Sequence, residues 1–401
     1  MKKQFLLLLL CSAFVCACVS TPQEEPRPQI PILAWYSIPD GENATLERYQ
    51  ELADAGFTHS FAHISTMEGA MRALDLCAQV GMKSVFTCSL LKDSTEQTVA
   101  KVMNHPGLGA YFLVDEPGND SFGWLGEWAR KIESVDSIHP CYLNLLPNHA
   151  ACFATVDEYK EHVRLFDEKV NLPQLSYDHY PVNQSGDTIY LNPRFYENLE
   201  EISAQARKSG KPFWAFALAT AHGPYPIPTI DQLRLQLYAN LAYGAQLLQY
   251  FTYWNPGTDT WDFHQAPITL EGRRSPVYEL VREMNQEIQR RADIFLGCEV
   301  ESVYHMGNEL PMGTTALPAL PAHFQKLDTQ GKGVLVSTLK NNGHHYVVLQ
   351  NTSPNHPLEL QVETDEQVKI CRRDGSREQA SKYGPLFVLT VGDVLILEYE
   401  D

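Results

Sequence analysis

From residue 32 to about residue 297 the chain alternates short apolar runs with longer segments whose apolar residues recur every three to four positions. The short runs, at 32–37, 58–64, 83–88, 110–114, 141–145, 174–177, 212–217 and 247–253, predict strands, and the segments between them predict helices. Thr45 stands as an N-cap, and Leu46, Tyr49, Leu52 and Ala53 keep helical spacing until Gly56. Residues 68–80 repeat the pattern, with Leu74, Cys77 and Ala78 on one face and Gly81 as the stop. Residues 122–135, 156–170, 196–208 and 230–242 behave alike, with Gly210 and Gly244 where helix ends are expected. A last helix, 276–295, precedes Gly297.

Eight strands alternating with helices predict an α/β chain closed as a (β/α)8 barrel, a TIM barrel, over residues 32–297. An open doubly wound sheet would place a glycine-rich phosphate turn after its first strand. Here that turn reads Ile38-Pro39-Asp40-Gly41. From residue 299 the texture changes to short apolar runs at 334–339, 346–350, 358–362, 368–372, 387–390 and 394–399. Asn341-Asn342-Gly343 and Asp374-Gly375 supply turn chemistry between them. Residues 298–401 are therefore expected to form a small antiparallel, β-sandwich-like accessory domain. No aromatic face stands out in it, so its expected role is support.

The first 18 residues read as a targeting segment. Lys2 and Lys3 precede an apolar run that is too short to span a bilayer, which takes about 20 residues. The run ends at Val15-Cys16-Ala17-Cys18, which resembles a bacterial lipobox. Cys18, preceded by the small Ala17, is the expected lipidation site. Residues 19–31, rich in Pro, Gln and Glu, are expected to form an extended tether. An acidic tether after a lipidated cysteine resembles the surface-export signal of lipoproteins in the Bacteroidetes. The chain is thus expected at the outer membrane, exposed at the cell surface and held by its lipid alone.

Charge narrows the partners. The 401 residues carry a formal net charge of −18, and −18 less Lys2 and Lys3 leaves −20 for the mature chain. Such a surface disfavours binding nucleic acid through phosphates and suits a neutral or cationic partner. Of nine cysteines, Cys77, Cys88, Cys141, Cys152, Cys298 and Cys371 remain beyond the lipobox, with no CxxC pair and no Cys/His metal spacing. Pairing of Cys141 with Cys152 is left open. No cofactor or metal is implied, and the oligomeric state is not indicated.

In a barrel of this kind chemistry sits at the C-terminal ends of the strands. Those ends carry Trp35, Tyr36, His63, Asp115, Glu116, Asn144, Asp178, His179, Tyr180, Trp214, His222, Tyr253 and Trp254. Sugar rings pack their C–H faces on aromatic side chains and offer hydroxyls to polar neighbours. Trp35, Tyr36, Tyr180, Trp214, Tyr253 and Trp254, with His63, Asn144, His179 and His222, are therefore candidate binding residues. Phe112, Phe213 and Phe216 are read as core. Glycoside hydrolysis needs one carboxylic acid to protonate the leaving oxygen and a second carboxylate as nucleophile or base. Glu116 is the candidate acid and Asp178 the candidate nucleophile or base. Asp115 is expected to tune Glu116 or to bind a hydroxyl. Asp120 and Ser121 are better placed than Glu116 to cap the following helix.

The run Gly109-Ala110-Tyr111-Phe112-Leu113-Val114-Asp115-Glu116-Pro117 resembles the fourth-strand motif of clan A glycoside hydrolases, in which Asn-Glu-Pro places the acid/base glutamate. Tyr253-Trp254 is similar to the tryptophan that floors the sugar site in that clan. Phe213-Trp214-Ala215-Phe216-Ala217 and Ala242-Tyr243-Gly244-Ala245 add to a likeness to Bacteroidetes lipoproteins with family 42-like, β-galactosidase-like barrels. The resemblance covers residues 32–297 and implies a glycosidase. Two departures stand against it. Asp115 replaces the asparagine, and the strand 7 end reads Ala219-Thr220-Ala221-His222, where the clan has its nucleophilic glutamate. Asp178, at the end of strand 6, is the substitute, and that placement is similar to α-galactosidase-type barrels. The leading expectation is a glycosidase cleaving an external oligosaccharide or polysaccharide. The alternatives are a glycan-binding lipoprotein on a degenerate barrel and a metal-dependent hydrolase. The lack of an HxH pair on strand 1 disfavours the last.

Overall fold

The computed structural model describes residues 28–259, 261–380 and 386–400. The leader, Cys18 and most of the tether lie outside the described residues. All eight apolar runs form parallel strands: β1 (Ile32–Trp35), β2 (His59–Ser60), β3 (Lys83–Phe86), β4 (Leu108–Asp115), β5 (Cys141–Asn144), β6 (Leu175–Tyr177), β7 (Phe213–Leu218) and β8 (Leu247–Phe251). Their order is β5-β4-β3-β2-β1-β8-β7-β6. A parallel bridge between Leu145 and Tyr177 joins the two ends of that order. There the Leu145 N–H donates to the Ser176 carbonyl at 2.8 Å. The sheet therefore closes on itself as a barrel.

Ten helices surround it among the described residues: α1 (Leu46–Asp54), α2 (Met67–Gln79), α3 (Ser89–Asp93), α4 (Thr95–Val102), α5 (Phe122–Glu133), α6 (Val156–Lys169), α7 (Phe195–Ser209), α8 (Ile230–Ala242), α9 (Pro276–Gln289) and α10 (Ala292–Phe295). The pair α3 and α4 is not among the predicted helices. Thr45 caps α1 as expected, its hydroxyl accepting from the Arg48 N–H at 3.4 Å. Gly210 ends α7 in the left-handed region at φ 65°, which costs glycine little. Asp120 and Ser121 lie in a short 3-10 turn before α5, and Ser121 makes no side-chain cap bond.

Nine strands follow: β9 (Glu299–Met306), β10 (Phe324–Asp328), β11 (Val334–Asn341), β12 (His344–Asn351), β13 (Leu358–Thr364), β14 (Lys369–Cys371), β15 (Arg377–Gln379), β16 (Leu386–Leu389) and β17 (Val394–Glu400). They build a six-stranded sheet, β9-β11-β12-β17-β14-β15, and a three-stranded sheet, β10-β13-β16. β9, β10 and β15 escaped the sequence reading because charged and polar residues interrupt them. Along β12 alternate residues serve two cores: Val347 and Leu349 face the smaller sheet, while Tyr346 and Val348 join the barrel core. Side chains fasten the larger sheet to the barrel. The Ser337 hydroxyl donates to the Ala242 carbonyl at 2.7 Å, and the Asn341 amide donates to the Leu296 carbonyl at 2.8 Å. α8, sandwiched between barrel and sheet, is buried nearly all round. Cys141 and Cys152 are both free thiols, the first buried and the second exposed.

Strand parity decides which side chains reach the site. Leu33, Trp35, Phe61, Val85, Ala110, Phe112, Tyr142, Phe216 and Leu247 point into the barrel and form a cluster of their own. Ile32, Ala34, Tyr111, Leu143, Ala215, Leu248 and Tyr250 point outward beneath the helices. The two sets alternate along each strand, as a pleated backbone requires.

Candidate active site

At the C-terminal mouth of the barrel opens a cavity of about 690 Å³. Its floor is the inward ring set. Trp35 is fully buried there, edge-on to Phe112 at 5.6 Å and to Phe216 at 5.4 Å. Phe216, expected as core alone, lines the cavity. The walls carry Tyr36, Tyr180, Tyr225, Phe251, Trp261 and Phe263. The Tyr180 and Phe251 rings lie 5.6 Å apart with an interplanar angle of 31°.

Three carboxyls converge on this floor. Asp115 ends β4, Glu116 follows it, and Asp178 follows β6. Glu116 sits in left-handed backbone at φ 46°, and Tyr36 across the cavity at φ 43°. Non-glycine residues held there carry strain of roughly 1–3 kcal/mol each, which concentrates at functional sites. The Glu116 N–H is held by the Asn144 carbonyl at 2.9 Å. The Asn144 amide donates to Asp178 at 2.8 Å, and the Glu116 and Asp178 carboxyls are hydrogen-bonded to one another.

The electrostatics follow from this crowding. Burial among protein atoms, then the Glu116 charge, pushes the Asp115 carboxyl up to about 7. Burial raises Glu116 as well, against the hydrogen bond with Asp178, which lowers it. Asp178 is raised by burial, by both neighbouring acids and by its hydrogen bond with Glu116, while the Asn144 amide pulls it down. Asp115 and Glu116 keep contact with water in the cavity. Their discomfort is one of walls and neighbours rather than complete desiccation. No Lys or Arg side chain lines the cavity among the described residues. At least one proton is therefore retained among the three acids near neutrality. No group of three or more His, Cys, Asp and Glu among the described residues is arranged to hold a metal ion.

Other predicted residues divide cleanly. Asn144, Trp35, Tyr36, Tyr180 and His222 line the cavity. His222 donates from Nδ1 to the Thr220 carbonyl at 2.9 Å, and burial lowers its pKa, so the neutral ring presents Nε2 as an acceptor. His63 is exposed beside the cavity, its ring 5.3 Å from that of Tyr36. Four residues are corrected. Trp214 is the second residue of β7, at the opposite end of the barrel from the mouth, and packs on Tyr142 at 5.3 Å. Tyr253 is buried outside the barrel against Phe57 at 5.4 Å and Tyr278 at 6.5 Å. Trp254 is buried beneath the Arg48 guanidinium at 5.5 Å. His179 is buried behind the site, donating from Nδ1 to Asn198 at 3.0 Å, and burial drives its pKa down to about 3. The lining residues that sequence reading missed include Phe251, Tyr225, Trp261, Phe263, His149 and a further acid, Asp259. Parity along β8 was a usable signal for Phe251, because Gln249 and Phe251 share the inward face.

A family model described as β-galactosidase, glycoside hydrolase family 42, matches residues 144–291. No curated protein matches the sequence. Solved structures match in fold. A β-galactosidase from Bacillus circulans sp. alkalophilus superposes with a TM-score of 0.60 at 10% identity, covering 93% of this chain and 99% of that one. A catalytic mutant of Gan42B, a GH42 β-galactosidase from G. stearothermophilus, gives 0.56 at 8% identity, covering 93% and 98%. A β-galactosidase from the Antarctic haloarchaeon Halorubrum lacusprofundi gives 0.54 at 10%, covering 92% and 99%. In sequence over residues 144–291, and in fold over most of its length, the chain resembles the family 42 β-galactosidases of clan A.

Proposed function

We propose that this chain is a β-galactosidase-like glycoside hydrolase acting on an external oligosaccharide or polysaccharide. The observation that carries the reading is the hydrogen-bonded pair Glu116–Asp178, set in an aromatic-walled cavity at the mouth of the barrel. Carboxyls close enough to share a proton stand nearer to the roughly 5–5.5 Å separation of retaining enzymes than to the roughly 6.5–9.5 Å of inverting ones. The pair therefore suits retention. Glu116 protonates the glycosidic oxygen while the Asp178 carboxylate attacks the anomeric carbon, so the alcohol leaves and a glycosyl ester forms. Glu116, now ionised, takes a proton from the water that opens the ester, which restores both carboxyls. The aromatic walls take the C–H faces of the sugar, and a lining with several acids and no Lys or Arg among the described residues favours a neutral or cationic substrate over an anionic one.

One observation favours a second reading, a glycan-binding protein without turnover. The end of β7 offers Leu218-Ala219-Thr220-Ala221, all buried and none acidic. A panel of aryl glycosides and plant and host oligosaccharides separates the two. Sugar release by the wild type and not by Glu116→Gln supports the enzyme. Sugar binding by both proteins without release supports the binding protein.

We also propose that Cys18 carries lipid and tethers the enzyme at the outer membrane, on the cell surface. The lipobox-like run and the acidic tether support this. Incorporation of labelled fatty acid that vanishes in Cys18→Ala is expected. Incorporation that survives the substitution overturns it.

A further inference from the structure

Inside the barrel, beneath the acids, runs a string of polar side chains that neither packing nor the two-carboxylate chemistry explains. The Tyr142 hydroxyl on β5 donates to Gln249 Oε1 on β8 at 2.5 Å. Gln249 Nε2 donates to the Ser176 hydroxyl on β6 at 2.8 Å. Ser176 donates to Asn144 Oδ1 on β5 at 3.0 Å. Asn144 Nδ2 donates to Asp178 at 2.8 Å and also reaches Asp115. Tyr142, Gln249, Ser176 and Asn144 are at most 2% exposed. Every donor in the string points the same way, towards the carboxyls.

A buried amide in an apolar interior is costly unless each of its polar atoms is satisfied, and a well-packed leucine would serve stability as well. What the string adds is direction. Tyr142 fixes which end of the Gln249 amide faces Ser176. That fixes the Ser176 hydroxyl, and Ser176 fixes Asn144 with its N–H turned to Asp178. Hydrogen bonds in such a chain polarise one another. A donor held against Asp178 favours its ionised form.

We propose that Gln249 and Ser176, acting through Asn144, are positioning residues that oppose retention of the shared proton on Asp178 and so favour the carboxylate there and the proton on Glu116. The assignment deepens the glycosidase reading and rests on it for its catalytic consequence. The other titratable groups facing Asp178 are Asp115 and Glu116 from the end of β4, Tyr142 from β5, Tyr159 from α6, Tyr177 and Tyr180 beside it, and Tyr225 from the loop after β7. Burial keeps all five tyrosines neutral, so the choice of proton position lies among the carboxyls.

The test uses Ser176→Ala, Gln249→Leu and Gln249→Glu in the full chain. The first readout needs no substrate. The infrared carboxyl band of protein labelled with 13C-aspartate is followed against pH, with the Asp178 signal assigned by its loss in Asp178→Asn. Ser176→Ala and Gln249→Leu are expected to move the Asp178 titration to higher pH. Gln249→Glu keeps the bond from Tyr142 but turns an acceptor to Ser176, reversing the string, so it is expected to move the titration further. The second readout is turnover. kcat is expected to fall by about a hundredfold for misplaced catalytic groups, with KM unchanged and the acidic limb of kcat/KM moved to higher pH. An unmoved or lowered Asp178 titration in folded Ser176→Ala overturns the proposal, and so does Gln249→Glu proving milder than Gln249→Leu. Should Gln249→Glu fail to fold, Ser176→Ala decides alone. Should no protein, wild type included, release sugar from any substrate, the glycosidase reading falls while the infrared titration still decides the relay.

Discussion

Two clusters of charge lie in this molecule, one buried and one in an open cavity, and they obey opposite rules. Beneath the β-domain, Glu287 on α9 accepts from Arg234 on α8 at 3.1 and 2.9 Å, and from the Tyr238 hydroxyl at 3.0 Å. Arg291 donates to Tyr238 at 2.8 Å and to the carbonyls of Arg372 at 3.2 Å and Cys371 at 3.3 Å. Burial pushes the Glu287 carboxyl up, but Arg234, Arg291 and Arg373 outweigh it and the net shift is downward. At the barrel mouth, Asp115, Glu116 and Asp178 crowd together with no Lys or Arg lining the cavity among the described residues, and all three are shifted upward. One cluster is complete in itself and pins barrel to sheet. The other is incomplete, with protonation states poised for something the protein must meet. Paired burial signals structure, and unpaired like charges in a cleft signal function.

The comparison is broken most directly by neutralising one acid of each cluster. Glu116→Gln is expected to lower kcat by about 10²–10⁴-fold, the usual contribution of a general acid. Its chemical unfolding midpoint is expected not to fall, because a crowded like charge has gone. Glu287→Gln is expected to do the reverse, at a cost of about 3–5 kcal/mol in unfolding free energy from breaking the buried ion pair with Arg234. Its kcat per folded molecule should be that of the wild type. Urea titrations and turnover measured on both variants check the pair. If Glu116→Gln lost stability as Glu287→Gln does, the acid triplet would be structural after all.

A smaller effect sharpens the contrast through pH. Asp115, ordinarily at 3.8, stands at about 7 in the folded chain. Between those values the folded chain holds a proton that the unfolded chain has released. Stability therefore falls as pH rises through that window and is flat above it. Asp115→Asn is expected to flatten the slope, read as urea midpoints taken across the window. Glu287, shifted downward, contributes in the opposite sense, with stability present above its unfolded pKa and lost as pH falls.

The two clusters were unequally legible in the sequence. Alternation of strand and helix periods showed all eight barrel strands, and Glu116 and Asp178 followed from being charged residues just after apolar runs. The paired cluster was invisible, because nothing in sequence brings Arg234, Glu287 and Arg291 together except tertiary packing. The aromatic wall was half read. Tyr253 and Trp254 were chosen for standing past the end of β8, yet they turn outward, while inward-facing Phe251 was passed over. Trp214 was misplaced because it opens β7 rather than closing it. Hairpin strands 182–185 and 188–191 and the loop that carries Trp261 had no periodic signal at all. Where a pleat sets direction, parity was the missing step. Where a loop sets it, no local rule was available.

Trp261 therefore offers the mildest and most discriminating variant. Its side chain is 53% exposed at the cavity wall, its ring 6.1 Å from that of His222. Truncating an exposed ring removes little packing, so Trp261→Ala is expected to keep wild-type stability. An aromatic face against a sugar is worth roughly 0.5–1.5 kcal/mol, so KM is expected to rise about two- to tenfold with kcat unchanged. Phe251 shares the wall but stands at the end of β8 and touches Tyr36, Tyr180 and Phe263, so Phe251→Ala is expected to cost stability as well as affinity. Steady-state kinetics and unfolding midpoints on the two variants separate binding from bracing at a single wall. A fall in kcat for Trp261→Ala with KM unchanged would move the ring from the wall to the chemistry, because only an interaction made in the transition state alone behaves that way.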